Sequence, residues 1–289
     1  MMKKMILAVL TLGVFAVSCS SDDDNNTSVN SDLTLSLDGL EALGDDFVYE
    51  GWIIVDGSPV STGTFSSVTF PQTFSVNTVQ LNSATAFVLS VEPAVDSDPN
   101  PAATKVLSGD FSGNAAAVNT NLVGDFSDAS GQFFLRTPTD ETDENNMNDQ
   151  NGVWFGTPGT PPTPNFVLPI LPEGWAYEGW VVGETGPLTT GTFTNFDTVD
   201  NAAPFSATVQ SGPPVPGEDF FMNAPEGETF PLDIRGRTIV ISVEPVPDNS
   251  PAPFALKPLI GTAGSETAPA VHSFDLNLAS LPVGTVTRN

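Results

Sequence analysis

The sequence predicts an all-β chain: two tandem antiparallel β-sandwich (Ig-like) domains behind a signal peptide and a short disordered tether. Three observations carry this. Tyr49-Glu50-Gly51-Trp52, Pro59 and Thr62-Gly63-Thr64-Phe65 recur without a gap, 128 positions later, as Tyr177-Glu178-Gly179-Trp180, Pro187 and Thr190-Gly191-Thr192-Phe193. A second block, Ser90-Val91-Glu92-Pro93 with Asp96, Pro99, Pro101, Lys105 and Gly109, recurs as Ser242-Val243-Glu244-Pro245 with Asp248, Pro251, Pro253, Lys257 and Gly261. Here the offset is 152 positions rather than 128, which leaves 24 extra residues between the blocks of the second copy. A period this long is domain-sized, whereas solenoid arrays repeat every ~20–50 residues. Finally, short runs of alternating polarity lie between turn clusters, with 26 Pro and 25 Gly, and no segment sustains a helical period.

The first residues set the compartment. Met1-Met2-Lys3-Lys4 is a basic region, Met5 to Val17 is apolar but too short to span a bilayer, and small residues precede Cys19, the layout of a secretory signal. Ala16-Val17-Ser18-Cys19 resembles a bacterial lipobox, with Ala16 where that motif more often has Leu. The resemblance implies cleavage before Cys19 and lipidation of that residue. Cys19 is the single cysteine, so no disulfide forms within one molecule, and a lone thiol at a cleavage site is better explained by lipid than by redox chemistry. Residues 1–18 are thus expected as signal peptide and 19–32 as a lipidated, acidic tether. Ser20-Ser21-Asp22-Asp23-Asp24-Asn25-Asn26 has no large apolar group to bury. This run also resembles the surface-export signal of some gram-negative lipoproteins; the alternative is a solvated linker with no address. The expected location is the bacterial cell envelope, as an outer-membrane lipoprotein at the cell surface.

Repeat 1 is placed at 33–160 and repeat 2 at 161–289, where Leu40, Leu43 and Phe47 match Leu168, Leu171 and Trp175 at the shorter offset. Leu33 to Leu37 alternates at period two, as Phe87 to Glu92 and Ile239 to Glu244 largely do, so these are strands. In a strand from Tyr49 to Val55, Glu50, Trp52 and Ile54 share one face and Tyr49, Gly51, Ile53 and Val55 the other. Both faces are largely apolar, so Trp52 and Trp180 read as core anchors rather than ligand platforms. Gly51 and Gly179 mark a bulge or close approach, and Pro93 and Pro245 end their strands because proline has no N–H for the ladder. The repeated acids Glu50, Glu92, Glu178 and Glu244 are site candidates. They could converge as a glycosidase pair, but their duplication together with Lys105 and Lys257 favours a structural role, paired to those lysines or accepting backbone hydrogen bonds at turns.

An aromatic-x-x-Trp strand, a Gly-Pro turn, a Gly-x-Phe strand and a strand ending in Glu-Pro before a Pro-rich turn together resemble the extracytoplasmic domain of anti-sigma-K factors. The Ser-Val-Glu-Pro block with its Pro-x-Pro sequel is the most specific part. The resemblance implies a sensory or regulatory β domain outside the membrane, with no catalytic residues to carry over. The sigma-binding helices, the Cys/His zinc motif and the transmembrane helix of such factors are not found in this sequence, so a sigma factor is not the expected partner.

Composition excludes further classes. With 8 basic and 35 acidic side chains the formal net charge is -27, and loss of Lys3 and Lys4 with the signal makes it more negative still. Such a surface repels phosphate backbones, so nucleic acid is not an expected partner. His272 is the single histidine and belongs to only one copy, and no Gly-x-Ser-x-Gly elbow accompanies it, so no catalytic residues are assigned and the protein is not expected to be an enzyme. One His and one Cys exclude zinc or iron sites built from them; no metal and no cofactor are expected. Asp140-Glu141-Thr142-Asp143-Glu144-Asn145-Asn146 offers hard oxygen ligands but lacks EF-hand spacing, and reads as a solvated hairpin loop. Asp197-Thr198-Val199 resembles a short O-glycosylation signal. The expected function is non-enzymatic binding or sensing of an unknown protein or glycan partner, with the membrane engaged through the lipid. The alternative is a surface carbohydrate-binding or glycan-processing protein, in which Trp154, Trp175 and the paired acids would serve.

Overall fold

The computed structural model describes residues 29–142, 145–248 and 250–289. The expected signal, Cys19 and most of the tether lie outside the described residues. The fold is nearly all-β and antiparallel, built from β1 (Asn30–Asp38), β2 (Phe47–Val55), β3 (Ser58–Phe65), β4 (Gln72–Asn77), β5 (Ala86–Pro93), β6 (Lys105–Ser112), β7 (Ala115–Val118), β8 (Ser130–Leu135) and β9 (Gly152–Phe155). The second half adds β10 (Phe166–Val167), β11 (Trp175–Val182), β12 (Pro187–Phe193), β13 (Gly217–Asp219), β14 (Thr238–Pro245), β15 (Leu259–Thr262), β16 (His272–Ser273), β17 (Asp275–Leu276) and β18 (Val283–Arg288). One short helix, α1 (Thr78–Ser83), follows β4, with Asn77 Oδ1 accepting from the N–H groups of Val79 and Gln80. Among the described residues no helix is long and apolar enough to cross a membrane.

Two four-strand runs share one order, β3-β2-β5-β6 and β12-β11-β14-β15. They also share register. Tyr49 pairs with Phe65 and Val91, Tyr177 with Phe193 and Val243, and each central strand slips by one residue between its Gly and its Trp. A methyl group on Gly51 would sit 2.5 Å from Thr62 Oγ1, and one on Gly179 would sit 2.3 Å from the Phe155 ring, so both glycines are held to hydrogen by close approach.

The second layers also correspond, but through an exchange. Beyond β6 the first sheet continues β7-β18-β1-β4, and its end strands β3 and β4 come back together, Phe65 lying 5.7 Å from Phe74. Against the second run stands a sheet in which β8 pairs with β16, with β10 through Ser130 and Gly131, and with β9 through Phe133–Leu135, β13 lying beyond β9. Thus β8, which follows β7 in sequence, completes the second array, and β18, which follows β17, completes the first. Leu33, Leu35 and Leu37 of β1 are buried along one edge of β18, and Ala116 and Val118 of β7 along the other. Arg288 fastens the inserted strand: its guanidinium donates to the carbonyls of Leu81, Ala84 and Gly113 at 2.7–2.9 Å and lies 4.5 Å over the Phe111 ring.

The division expected between residues 160 and 161 is therefore not followed by the sheets. The array of repeat 1 needs Val283–Arg288, and the array of repeat 2 needs Ser130–Leu135 and Gly152–Phe155. One buried apolar cluster runs through both, from Leu33 to Val286 by way of Phe133, Phe155 and Ile241.

Candidate functional site

The repeated residues build the same hydrogen-bonded chain twice. Ser-Val-Glu in a strand places Ser and Glu on one face, beside the Trp of the neighbouring strand. Trp52 Nε1–H donates to Ser90 Oγ at 2.8 Å, the Ser90 hydroxyl donates to Glu92, and Glu92 Oε1 accepts the Ala102 N–H at 2.8 Å. In the second array Trp180 donates to Ser242 at 2.8 Å, Ser242 to Glu244, and the Phe254 N–H to Glu244 Oε1 at 2.9 Å. Each chain ties the central tryptophan to the Pro-rich loop after the strand. Glu50 and Glu178 accept the hydroxyls of Ser61 and Thr189 across the neighbouring strand pair. The tyrosines match as well, Tyr49 donating to Glu41 O at 2.8 Å and Tyr177 to Pro169 O at 2.6 Å.

The lysines do not form the expected pairs with these acids. Lys105 Nζ donates to the Ala102 carbonyl at 3.0 Å, and Lys257 Nζ bonds Glu41 at 2.9 Å. Glu92 and Glu244 are buried and already hold hydroxyl and backbone donors, which leaves the long lysine stems to reach partners nearer solvent. Replacing Ser242 with Ala should strand the Trp180 N–H and one lone pair of Glu244, at about 1–3 kcal/mol. Urea unfolding of Ser242→Ala and Ser90→Ala checks this; a change below about 0.5 kcal/mol in both would contradict it.

Glu178 and Glu244 share a face with Asp248 of the following loop, and carboxylate oxygens of the three lie within 4.8 Å of one another. Burial first, and then the negative charges of Glu244 and Asp248, push Glu178 up to about 8 against the Thr189 hydrogen bond. Burial likewise pushes Glu244 up to about 7. At the matching positions of the first array Glu92 is buried, but Glu50 is half-buried and Asp96 exposed. Glu244 and Asp248 also line a cleft of about 360 Å³ between the loop before β2 and the loop after β14, which Glu41, Asp45 and Asp46 border from the other side.

A second buried acidic centre was not among the sequence candidates. Asp219 accepts the Thr139 N–H at 2.8 Å and the Trp154 Nε1–H at 2.8 Å, and adjacent Glu218 accepts the Ser206 hydroxyl. Asp200 accepts the Gly217 N–H at 3.0 Å. The signal that could have found them is the extra length of the second copy between Phe193 and Ser242, which holds Asp200, Glu218 and Asp219 and has no counterpart in the first. Burial raises Glu218 from 4.5 to about 8 and Asp219 from 3.8 to about 7. Between about pH 4 and 8 the folded chain therefore holds protons that the unfolded chain has released, so stability is fully present below that window and is lost as pH rises through it. A tenfold change in proton affinity between the two states is worth about 1.4 kcal/mol, so unfolding free energy should fall by at least about 2 kcal/mol from pH 5 to pH 8.5. A Tm that rises across that range would contradict the assignment.

His272 offers no free ring nitrogen: Nδ1 accepts the Gly264 N–H at 3.3 Å, Nε2 faces the Glu266 carbonyl at 2.9 Å, and the ring packs on Phe133. In the acidic loop Asp140 accepts Asn148 Nδ2 at 2.7 Å, Glu141 pairs with Arg136 at 3.0 Å and Asp149 accepts Asn145 Nδ2 at 2.8 Å; Asp143 and Glu144 lie outside the described residues. Thr198 is exposed. All four tryptophans are buried, at 2–3 % exposure, so none presents a ring face to solvent.

The family model described as "Anti-sigma-K factor rskA, C-terminal" matches residues 20–106, which span β1 to β5 and enter β6. This stretch of the chain is therefore similar to an anti-sigma factor C-terminal domain. No curated protein and no solved structure matches the chain.

Proposed function

We propose that the protein is a lipid-anchored, surface-exposed, non-enzymatic binding or sensing protein built from two anti-sigma-K-like β units. The observation that carries the reading is the second Trp–Ser–Glu chain. The family match ends at residue 106, but Trp180, Ser242, Glu244 and the Phe254 N–H reproduce the bonding of Trp52, Ser90, Glu92 and the Ala102 N–H. What was duplicated is a fold-holding constellation, so the two units serve recognition rather than a reaction. Burial of Trp154 and Trp175 removes the stacking platforms that a glycan site would use, which favours a protein partner over the carbohydrate alternative.

Attachment in this reading rests on lipid at Cys19, so Cys19→Ala should release the protein from membranes or stall its processing. Unchanged detergent-phase partitioning of that variant would refute the anchor. Replacing Asp22, Asp23 and Asp24 with Ala should abolish protease shaving on whole cells while membrane attachment persists. Partner capture from intact cells with the mature chain, followed by competition with a glycan panel, tests the binding role; specific elution by a glycan would favour the carbohydrate reading instead.

A further inference from the structure

We propose that Glu178, Glu244 and Asp248 bind a hard divalent cation of the calcium class at the edge of the acidic cleft. The three carboxylates converge within 4.8 Å. Convergence alone is common among acidic residues; here it coincides with an unpartnered buried oxygen aimed into the cluster. Glu178 is only 4 % exposed, its Oε1 accepts the Thr189 hydroxyl, and its Oε2 is buried without a donor among the described residues, with the Asp248 carboxyl beside Glu178. Buried carboxylate oxygens are ordinarily met by a donor. Among the described residues no basic side chain meets this one: the ammonium of Lys257, which acts on Glu244, is bonded to Glu41.

The donor chemistry selects the ion. All three groups are carboxylates, and among the described residues neither imidazole nor thiolate joins them, which suits a hard cation and not zinc or copper. Calcium accepts irregular, mixed carboxylate and water coordination, whereas magnesium demands a near-ideal octahedron. The adjoining cleft leaves room for water, and Asp45 and Asp46 on its far wall extend the negative field that draws cations in. Since Glu50 is half-buried and Asp96 exposed in the first array, the site belongs to the second array alone.

Calcium titration of the full mature chain after chelator treatment tests this, by calorimetry and by Tm, in buffer with ~0.15 M salt. One site with a Kd at or below about 1 mM is expected, in the range of extracellular calcium modules, with a rise in Tm. Glu178→Gln and Asp248→Asn should each weaken binding at least roughly tenfold, whereas the double substitution Glu50→Gln, Asp96→Asn should leave it unchanged. Because glutamine keeps the shape of Glu178 and needs no cation to offset a buried charge, Glu178→Gln should remain folded without calcium, so loss of binding would not report loss of fold. Three outcomes would overturn the site: no heat and no Tm shift at about 10 mM calcium, binding undiminished in both single variants, or an equal response to magnesium. The first would leave a proton shared by Glu178 and Asp248 as the occupant, and the others diffuse attraction to an acidic surface.

Discussion

Removing Val283–Asn289 is expected to unfold the array formed by the opposite end of the chain. β18 pairs with β1 along Leu33–Asp38 and with β7 along Ala115–Val118, and Val286 at its centre is fully buried. Deletion leaves two unpaired strand edges over an open apolar core, and releases the carbonyls of Leu81, Ala84 and Gly113 from Arg288. The loss is comparable with a whole domain's stability, about 5–15 kcal/mol. Circular dichroism and amide exchange on the truncated chain check it, the expected result being loss of protection in β1 to β7. Arg288→Ala, which keeps the strand, should reproduce only part of the effect. A truncated chain that keeps native protection at Leu33 and Leu35 would contradict the exchange.

Truncating Trp52 or Trp180 to Ala should each cost on the order of 3–5 kcal/mol, through the cavity left and the loosened Ser–Glu chain behind it. Both indoles are buried and both N–H groups are bonded to a buried serine. Because the arrays exchange strands and join in one apolar cluster, each substitution should lower a single transition rather than melt one half while sparing the other. Calorimetry of the two variants decides this: two resolved transitions, of which only one moves, would mean separately folding units.

The repeated strands were legible in the sequence because their residues carry strong local requirements. Gly before Trp gives the bulge, Ser-x-Glu sets two polar groups on one face, and Pro ends the strand. The boundary was not legible, because the strands that cross it carry no such signature. Ser130-Gly131-Gln132-Phe133-Phe134-Leu135 and Val283-Gly284-Thr285-Val286-Thr287-Arg288 occupy corresponding places with little in common beyond Gly131 and Gly284. Their placement is fixed by partners distant in sequence. α1 is too short to show a helical period, and only Asn77 marks its start. The acids of the site were legible as a repeated pair of glutamates. The convergence of Glu178 with Asp248 was not, since it depends on how the loop after β14 folds back.

The most direct test of the interlocked architecture is a single cut. A protease site placed in the exposed turn at Gly159 and Thr160 would nick the folded chain at the boundary that the repeats suggest, leaving β8 and β9 on one fragment and β18 on the other. Size-exclusion chromatography of the nicked protein under native conditions then reads the outcome. Reciprocal strand exchange predicts one particle of unchanged size, whose fragments separate only in denaturant and melt in one transition. Two folded fragments eluting apart without denaturant would contradict it.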